Sequence, residues 1–427
     1  MFARAAPRVA TRTAVRTAQC EANPQVHIFA KLPSRALRPV QRPCRRQEKS
    51  TFFKGFKEEY RKSPFMFSIA VGGIIAVSAI GAFYIPYYYK NFIIKPYHNF
   101  PEPVAKKLRK AVFYSYGSQQ DVREANKWFR LALQEANELG MDPFSDEVLG
   151  VKIAISALFE HTGQYKLATD VLEIMRTDCF RWLQELGDKH WNDGKRTRIL
   201  QRTIEFNMKL GELYNLKYMN EPEEAERRLT EAVETMLKEK MRRDKEGVKE
   251  GEGDWMTNEE MGATLEALAH HYEENDSHYL ATPLFLQALT LCPPKSCHGV
   301  VLMNNISTCL AQQTPPPSSN PSNSPSSFSN SPALSRSTVI EQARQWADKA
   351  IAKAAMITPP ARNEECDIGC ATATHNLGEF LEMEGRIQEA RQKYEEAVSL
   401  SKAIGFKEGR VNAAAGLTRL KALEKKA

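Results

Sequence analysis

No catalytic signature interrupts this chain of 427 residues. A Gly-rich phosphate loop, a His-Glu-x-x-His pair and a Gly-x-Ser-x-Gly elbow are all missing. Their absence removes the usual nucleotide-hydrolase, metalloprotease and serine-hydrolase designs. The eight cysteines do not spell a zinc framework. Cys292, Cys297 and His298 lie close, but Pro293-Pro294 intervenes and no second ligand pair has the required spacing. Cys366 and Cys370 stand four apart on a predicted helix, and with no matching pair on another helix they are expected as buried free thiols. No enzyme activity, metal or cofactor is therefore expected. Long apolar runs are equally scarce: only residues 65–85, 21 in a row without a charge, could cross a bilayer core as one helix.

Acidic residues are nearly absent from the first 46 positions. Ten Lys/Arg stand there against the single Glu21, about +9, while the whole chain carries +7. Everything after residue 46 therefore sums to about −2 (+7 less +9), and the basic pI implies no nucleic-acid binding by the body. Arg4, Arg8, Arg12 and Arg16 recur every four residues, so a helix would gather them on one stripe. An Arg-rich, acid-poor amphipathic start is the pattern of a mitochondrial transit peptide; a secretory signal would need an apolar run near the terminus.

These features predict a presequence over 1–46, a short matrix segment over 47–64, a transmembrane helix over 65–85 and a linker over 86–105. A presequence followed by one apolar helix is a stop-transfer arrangement. It places the protein in the mitochondrial inner membrane, with the N-terminus in the matrix and the body in the intermembrane space. Tyr84, Tyr87, Tyr88 and Tyr89 look like an interfacial aromatic belt, with Pro86 ending the helix. Gly72 and Ala76, and Ser78 and Ala82, are spaced four apart and would let a second helix approach closely in the lipid bilayer.

The body repeats a helical unit. Residues 371–402 carry Leu377-Gly378, Leu381, Gly385, Ala390, Tyr394 and Ala397. This resembles the tetratricopeptide (TPR) pattern, in which small residues let helix A and helix B of a hairpin pack closely and a large one fills the joint. The same register recurs at 262–293 (Leu268, Ala269, Tyr272, Ala281, Phe285, Ala288) and at 204–239 (Leu210-Gly211, Tyr214, Ala225, Leu229, Ala232). It returns at 149–180 with Ser156, Ala168, Leu172 and Met175, and at 106–137 with Ala125, Phe129 and Ala132. A sixth unit starts near Val300 and is completed by Ala343, Ala347 and Ala350. The expected fold is all-α: a single N-terminal transmembrane helix followed by a TPR-like α-solenoid over 106–427.

Two insertions interrupt the array. Residues 238–254 are charged and Gly-containing, and are expected as an exposed loop. Residues 312–337 are rich in Pro, Ser and Asn and cannot bury enough surface to order. Phe406–Ala427 is predicted as the polar-faced capping helix. Helix A lines the concave face of such an array, which makes Glu266, His270, Asn304, Asn305, Thr308, His375, Asn376 and Glu379 candidates for a peptide groove. The ordinary alternative for each is a solvated helix face. Grooves that capture a C-terminal carboxylate use paired Lys/Arg; here the equivalent positions are Glu266, Asn305, Thr372 and Asn376, which argues against a chaperone-tail clamp.

The stretch after the membrane reads Phe-Pro-Glu-Pro-Val-Ala-Lys-Lys-Leu-Arg-Lys-Ala-Val-Phe over 100–113. Ala125, Trp128, Phe129, Ala132 and Leu133 follow, and then the Asp142-Pro143…Ser145-Asp146 join. Together with the presequence, the span and the Tyr-rich exit, this resembles the TPR-containing adaptor subunits of the mitochondrial inner-membrane i-AAA protease, over roughly residues 60–427. The resemblance implies a non-catalytic protein that binds unfolded or misassembled proteins and presents them to the protease. A TPR assembly factor for a respiratory-chain complex shares every feature named and stands as the alternative.

Overall fold

The computed structural model describes residues 57, 60–116, 120–313 and 336–424. The presequence over 1–46 and most of the 312–337 insertion lie outside the described residues. The chain divides at Tyr84–Ile85 into two units. Among the described residues there is no strand.

Helix α1 covers Pro64–Tyr88 and buries none of its residues. Phe65, Ile74, Ile80 and Phe83 are all exposed. A mean hydropathy of 2.1 makes it the one described helix long and apolar enough to cross a membrane. Gly72, Ala76, Ser78 and Ala82 are exposed along it. Pro86 lies inside α1 and does not end it. The chain runs on through a π-helical turn over Tyr89–Ile94 and a 3-10 turn over Lys95–Tyr97. Proline removes one N–H, and leaving the helix here would also cost the following backbone groups their partners. Widening to a π turn is the cheaper solution. The stretch 86–105 is thus largely helical.

The second unit is a stack of hairpins. Its first three comprise α2 (Glu102–Ser115) and α3 (Val122–Glu138), α4 (Asp146–His161) and α5 (Tyr165–Leu186), α6 (Lys195–Tyr214) and α7 (Pro222–Glu246). The next three comprise α8 (Asn258–Glu274) and α9 (His278–Leu291), α10 (His298–Gln312) and α11 (Arg336–Met356), α12 (Glu364–Met383) and α13 (Ile387–Ala403). Helix α14 (Lys407–Glu424) closes the end and packs on both α12 and α13.

One three-residue pattern builds every hairpin. The second helices carry Ala125/Phe129/Ala132, Ala168/Leu172/Met175, Ala225/Leu229/Ala232, Ala281/Phe285/Ala288, Ala343/Ala347/Ala350 and Ala390/Tyr394/Ala397, and all of these are buried. Spacings of four and three keep the trio on one helical face. The small residues admit the neighbouring backbone, and in five hairpins a larger central residue (Phe129, Leu172, Leu229, Phe285 or Tyr394) fills the joint; the fifth hairpin in chain order has Ala347 there. Opposite it the first helix is small. A Cβ added to Gly378 would lie 2.8 Å from the Tyr394 ring, and one on Gly211 would collide with Leu229. Ser156 donates from its hydroxyl to the Ala168 carbonyl at 3.0 Å. Helix starts are capped by Asp121, Ser145 and Asn363, and at α8 by a Thr257/Glu260 capping box.

Replacing Ala390 by leucine forces extra volume into a fully buried joint. It is expected to lower the stability of the body by roughly 1–3 kcal/mol. Gln388→Leu, on the exposed side of α13, should change stability by less than about 0.5 kcal/mol. Calorimetry of the two variants checks the register; equal, unchanged transitions would remove it.

The charged segment 238–254 corrects the sequence reading. Only its second half is an exposed loop: 238–246 complete α7, and 247–254 are non-helical and exposed save for Glu252. Glu252 is only 1% exposed. It receives the Arg242 guanidinium and, at 3.0 Å, the Lys249 backbone N–H. Trp191 stacks under Arg196 (4.0 Å), Arg242 (4.7 Å) and Lys249 (3.6 Å). Gly251 has φ +75°, and a Cβ there would strike the Asn192 carbonyl oxygen. Composition shows these charges but not that they neutralise one another.

Candidate functional site

Ion pairs between first helices of successive hairpins run along one face of the stack. Arg202 on α6 meets Asp146 on α4 at 3.1 Å, and Lys209 meets Glu160 at 2.8 Å. The densest group joins the fourth, fifth and sixth hairpins. His298, at the start of α10, holds Glu266 of α8 at 2.8 Å through Nε2 and Glu365 of α12 at 2.9 Å through Nδ1. His270, one turn beyond Glu266, reaches Glu266 at 3.3 Å and Glu273 at 3.0 Å, with its ring edge-on to Phe285 at 5.0 Å.

This geometry sets the charges. Burial works against the Glu266 carboxylate, but hydrogen bonds from His270 and His298 and their positive charges outweigh it, holding the group down at about 2. His298 is raised to about 9 by its hydrogen bond to Glu266, against burial and with help from Glu365. His270 also rises to about 9: burial opposes the charge, and the bonds to Glu266 and Glu273 overcome it. Around pH 7 both imidazoles are cations, each between two carboxylates.

Beside the cluster opens a cavity of about 350 Å³ lined by Glu259, Glu266, Cys292, His298, Leu302 and Glu365 among others. Its walls come from α8, α10, α12 and the turn after α9. Hydroxyl, carboxylate, imidazole and thiol groups edge an apolar floor, which suits a side chain of a bound segment better than a flat surface would. No group of three or more metal-ligating side chains occurs among the described residues.

The eight residues expected at the groove separate into two sets. Glu266 and His270 form the cluster just described, and Asn305, Thr308 and Glu379 are part-exposed. Asn304, His375 and Asn376 are buried at 4%, 4% and 2% exposure, within the stack and away from solvent. Asn304 donates to the Gly369 carbonyl at 2.8 Å, and Asn376 donates to the Thr308 hydroxyl at 3.3 Å. His375 lies 3.4 Å from Glu379 and against the Tyr394 ring. In a divergent array a one-position drift turns a groove residue into a joint residue.

The expectation of a free thiol holds at Cys370, which is part-exposed, and is corrected at Cys366. Cys366 is disulfide-bonded to Cys297, 69 residues away, with the Cα atoms 4.7 Å apart. Cys370, Cys292, Cys179 and Cys309 are free. The pairing joins the starts of α10 and α12, which the sequence separates by a whole helix and an insertion. The pairing of His298 with Glu365 is hidden in the sequence for the same reason: each precedes its helix's repeat register and finds its partner only once the hairpins stack.

The cluster's ionisation predicts a pH profile. The raised imidazoles contribute stability that is complete below about 6.5 and is lost as pH rises through about 9. The depressed Glu266 contributes stability that is present above about 4.5 and is lost as pH falls through about 2. The melting temperature should therefore fall between pH 7 and 10, and Glu266→Gln should flatten that fall. An unchanged alkaline slope in the variant would assign it elsewhere.

No protein-family model matches the chain. A TPR repeat-containing protein of Schizosaccharomyces pombe is 26% identical over 324 residues, spanning 75% of this chain and 79% of that protein. Protein MRG3-like of Saccharomyces cerevisiae is 27% identical over 119 residues, 28% of this chain and 25% of its own length. Among solved structures, BtubC from P. vanneervenii superposes with a TM-score of 0.43 at 13% identity, covering 66% of this chain and 92% of that one. The TPR-like repeats of a Podospora anserina kinesin light chain superpose with a TM-score of 0.39 at 14% identity, covering 61% and 97%. The fold is an all-α, TPR-like α-solenoid, and over three quarters of its length the chain is similar to a TPR repeat-containing protein of Schizosaccharomyces pombe.

Proposed function

We propose that this protein is a non-catalytic, single-pass adaptor of the mitochondrial inner membrane. It binds unfolded or misassembled proteins through the face formed by its first helices and presents them to the i-AAA protease for turnover. The observation that carries the reading is the pairing of an apolar helix exposed along its whole length with a TPR array whose first-helix face holds a charged cavity. The basic arm before the helix supports delivery to mitochondria. The disulfide on the body supports an oxidising compartment such as the intermembrane space over the reducing matrix.

The test has two arms. Protease added to intact mitochondria should leave the body whole, and protease added after outer-membrane rupture should digest it. Digestion in intact organelles would place the protein on the outer membrane. Purification from solubilised membranes should then bring down a hexameric AAA protease. Recovery of a respiratory complex alone would favour the assembly-factor alternative.

A further inference from the structure

The corner where the fifth and sixth hairpins meet carries two links of different kinds between the same helix ends. Cys297 immediately precedes His298, and Cys366 immediately follows Glu365. The disulfide and the His298–Glu365 ion pair therefore bridge the starts of α10 and α12 side by side. Glu365 and His298 also form part of the cavity wall, so whatever sets the spacing of these two helix ends sets the width of the cavity. Both bonded cysteines are buried, at 3% and 0% exposure. Two free thiols flank them: part-exposed Cys292 on the cavity wall, and Cys370 one turn along α12.

We propose that the Cys297–Cys366 disulfide is a redox-operated clasp on the cavity. Bonded, it holds His298 against Glu365 and keeps the cavity at the width seen here. Reduced, it lets the start of α12 lift from α10 and opens the wall. The electrons come from a dithiol. One of its thiolates attacks a sulfur of the pair, forms a mixed disulfide and releases the other cysteine as a thiolate, which takes a proton. The second thiolate of the reductant then closes its own disulfide and frees the first cysteine. Since both sulfurs are buried, reduction follows local opening of the corner, and a segment seated in the cavity would slow it. The inference rests on the binding role proposed above only for what an open cavity would admit. Its test uses no ligand, so the two can fail separately.

Cys292 is a built-in reporter. Full-length protein in detergent micelles is treated with N-ethylmaleimide, and modification of Cys292 is followed by peptide-resolved mass spectrometry alongside amide hydrogen exchange. Three proteins are compared: the oxidised protein, the Cys297→Ser/Cys366→Ser variant and a Cys370→Ser control. The double variant should be modified at Cys292 about tenfold faster, with faster exchange over 364–370 and none of the change over α2–α7. The control should match the oxidised protein. Should the double variant lose protection throughout, dithiol-treated wild-type protein takes its place, and the slow rate must return on re-oxidation. Unchanged Cys292 reactivity, a rate that does not return, or Cys297 and Cys366 found as free thiols in the untreated protein would overturn the proposal.

Discussion

Cys297→Ser/Cys366→Ser should cost the C-terminal hairpins roughly 4 kcal/mol, the chain entropy regained when a loop of about 70 residues is no longer closed. The effect is large because the bond spans a helix and an insertion, so the unfolded chain gains much freedom when it is cut. It should also be local. In a stacked array each hairpin touches only its neighbours, and stability is a sum of hairpin and joint contributions. Loss of the link between α10 and α12 should lower the unfolding midpoint of the region from α10 to α14 and leave the first three hairpins near their original stability. Hydrogen exchange resolved by peptide reads this directly. A uniform loss along the whole array would show that the hairpins unfold as one unit.

Gly378→Leu should be comparably damaging, for a steric reason. A side chain at 378 must begin 2.8 Å from the Tyr394 ring. The ring has little room to retreat, since α14 comes so near that a Cβ on Gly416 would lie 2.6 Å from the ring's Cζ. Its hydroxyl donates to Glu382 at 2.6 Å and receives Arg419 at 3.0 Å. Overpacking a fixed ring costs about 3 kcal/mol, and the displaced hydroxyl network adds to it. Gly150 is the matched control. It also lies within a first helix, but nothing stands within 4 Å of where its Cβ would be. Gly150→Ala should therefore stabilise α4 by roughly 0.5–1 kcal/mol through backbone entropy alone. The same residue type then gives opposite signs at two repeats, and the sign is set by the facing residue. If Gly378→Leu melted like wild type, the joint between α12 and α13 would not be where the register puts it.

Much of the architecture could be read before folding because it depends on short-range spacing. The Ala-x-x-x-large-x-x-Ala pattern at 390–397 and its three echoes at 125–132, 225–232 and 281–288 need only the helical period to face one way. An uncharged stretch at 65–85 needs only length. What stayed hidden depends on partners far apart in the chain. Cys297 meets Cys366 across an insertion, and His298 meets Glu266 and Glu365 on two other hairpins. Glu252 is buried because its loop returns to Arg242 on α7, although the rest of that loop is solvated as its composition suggests. Pro86 was misread for a different reason. Its local preference to break a helix is real, but the chain widens to a π turn over Tyr89–Ile94 and keeps its backbone groups hydrogen-bonded.

The most direct test of a substrate-binding first-helix face is site-specific photo-cross-linking in native mitochondrial membranes. Ala263 is exposed on α8 and lines the cavity. Gln388 is exposed on the second helix of the last hairpin. A photoreactive phenylalanine analogue at 263 should capture non-native polypeptides, and the adducts should accumulate when the AAA protease is inactivated. The same analogue at 388 should capture few or none. Equal capture at both positions, or capture at 263 of only a folded respiratory-complex subunit whose yield ignores the protease, would contradict the adaptor account.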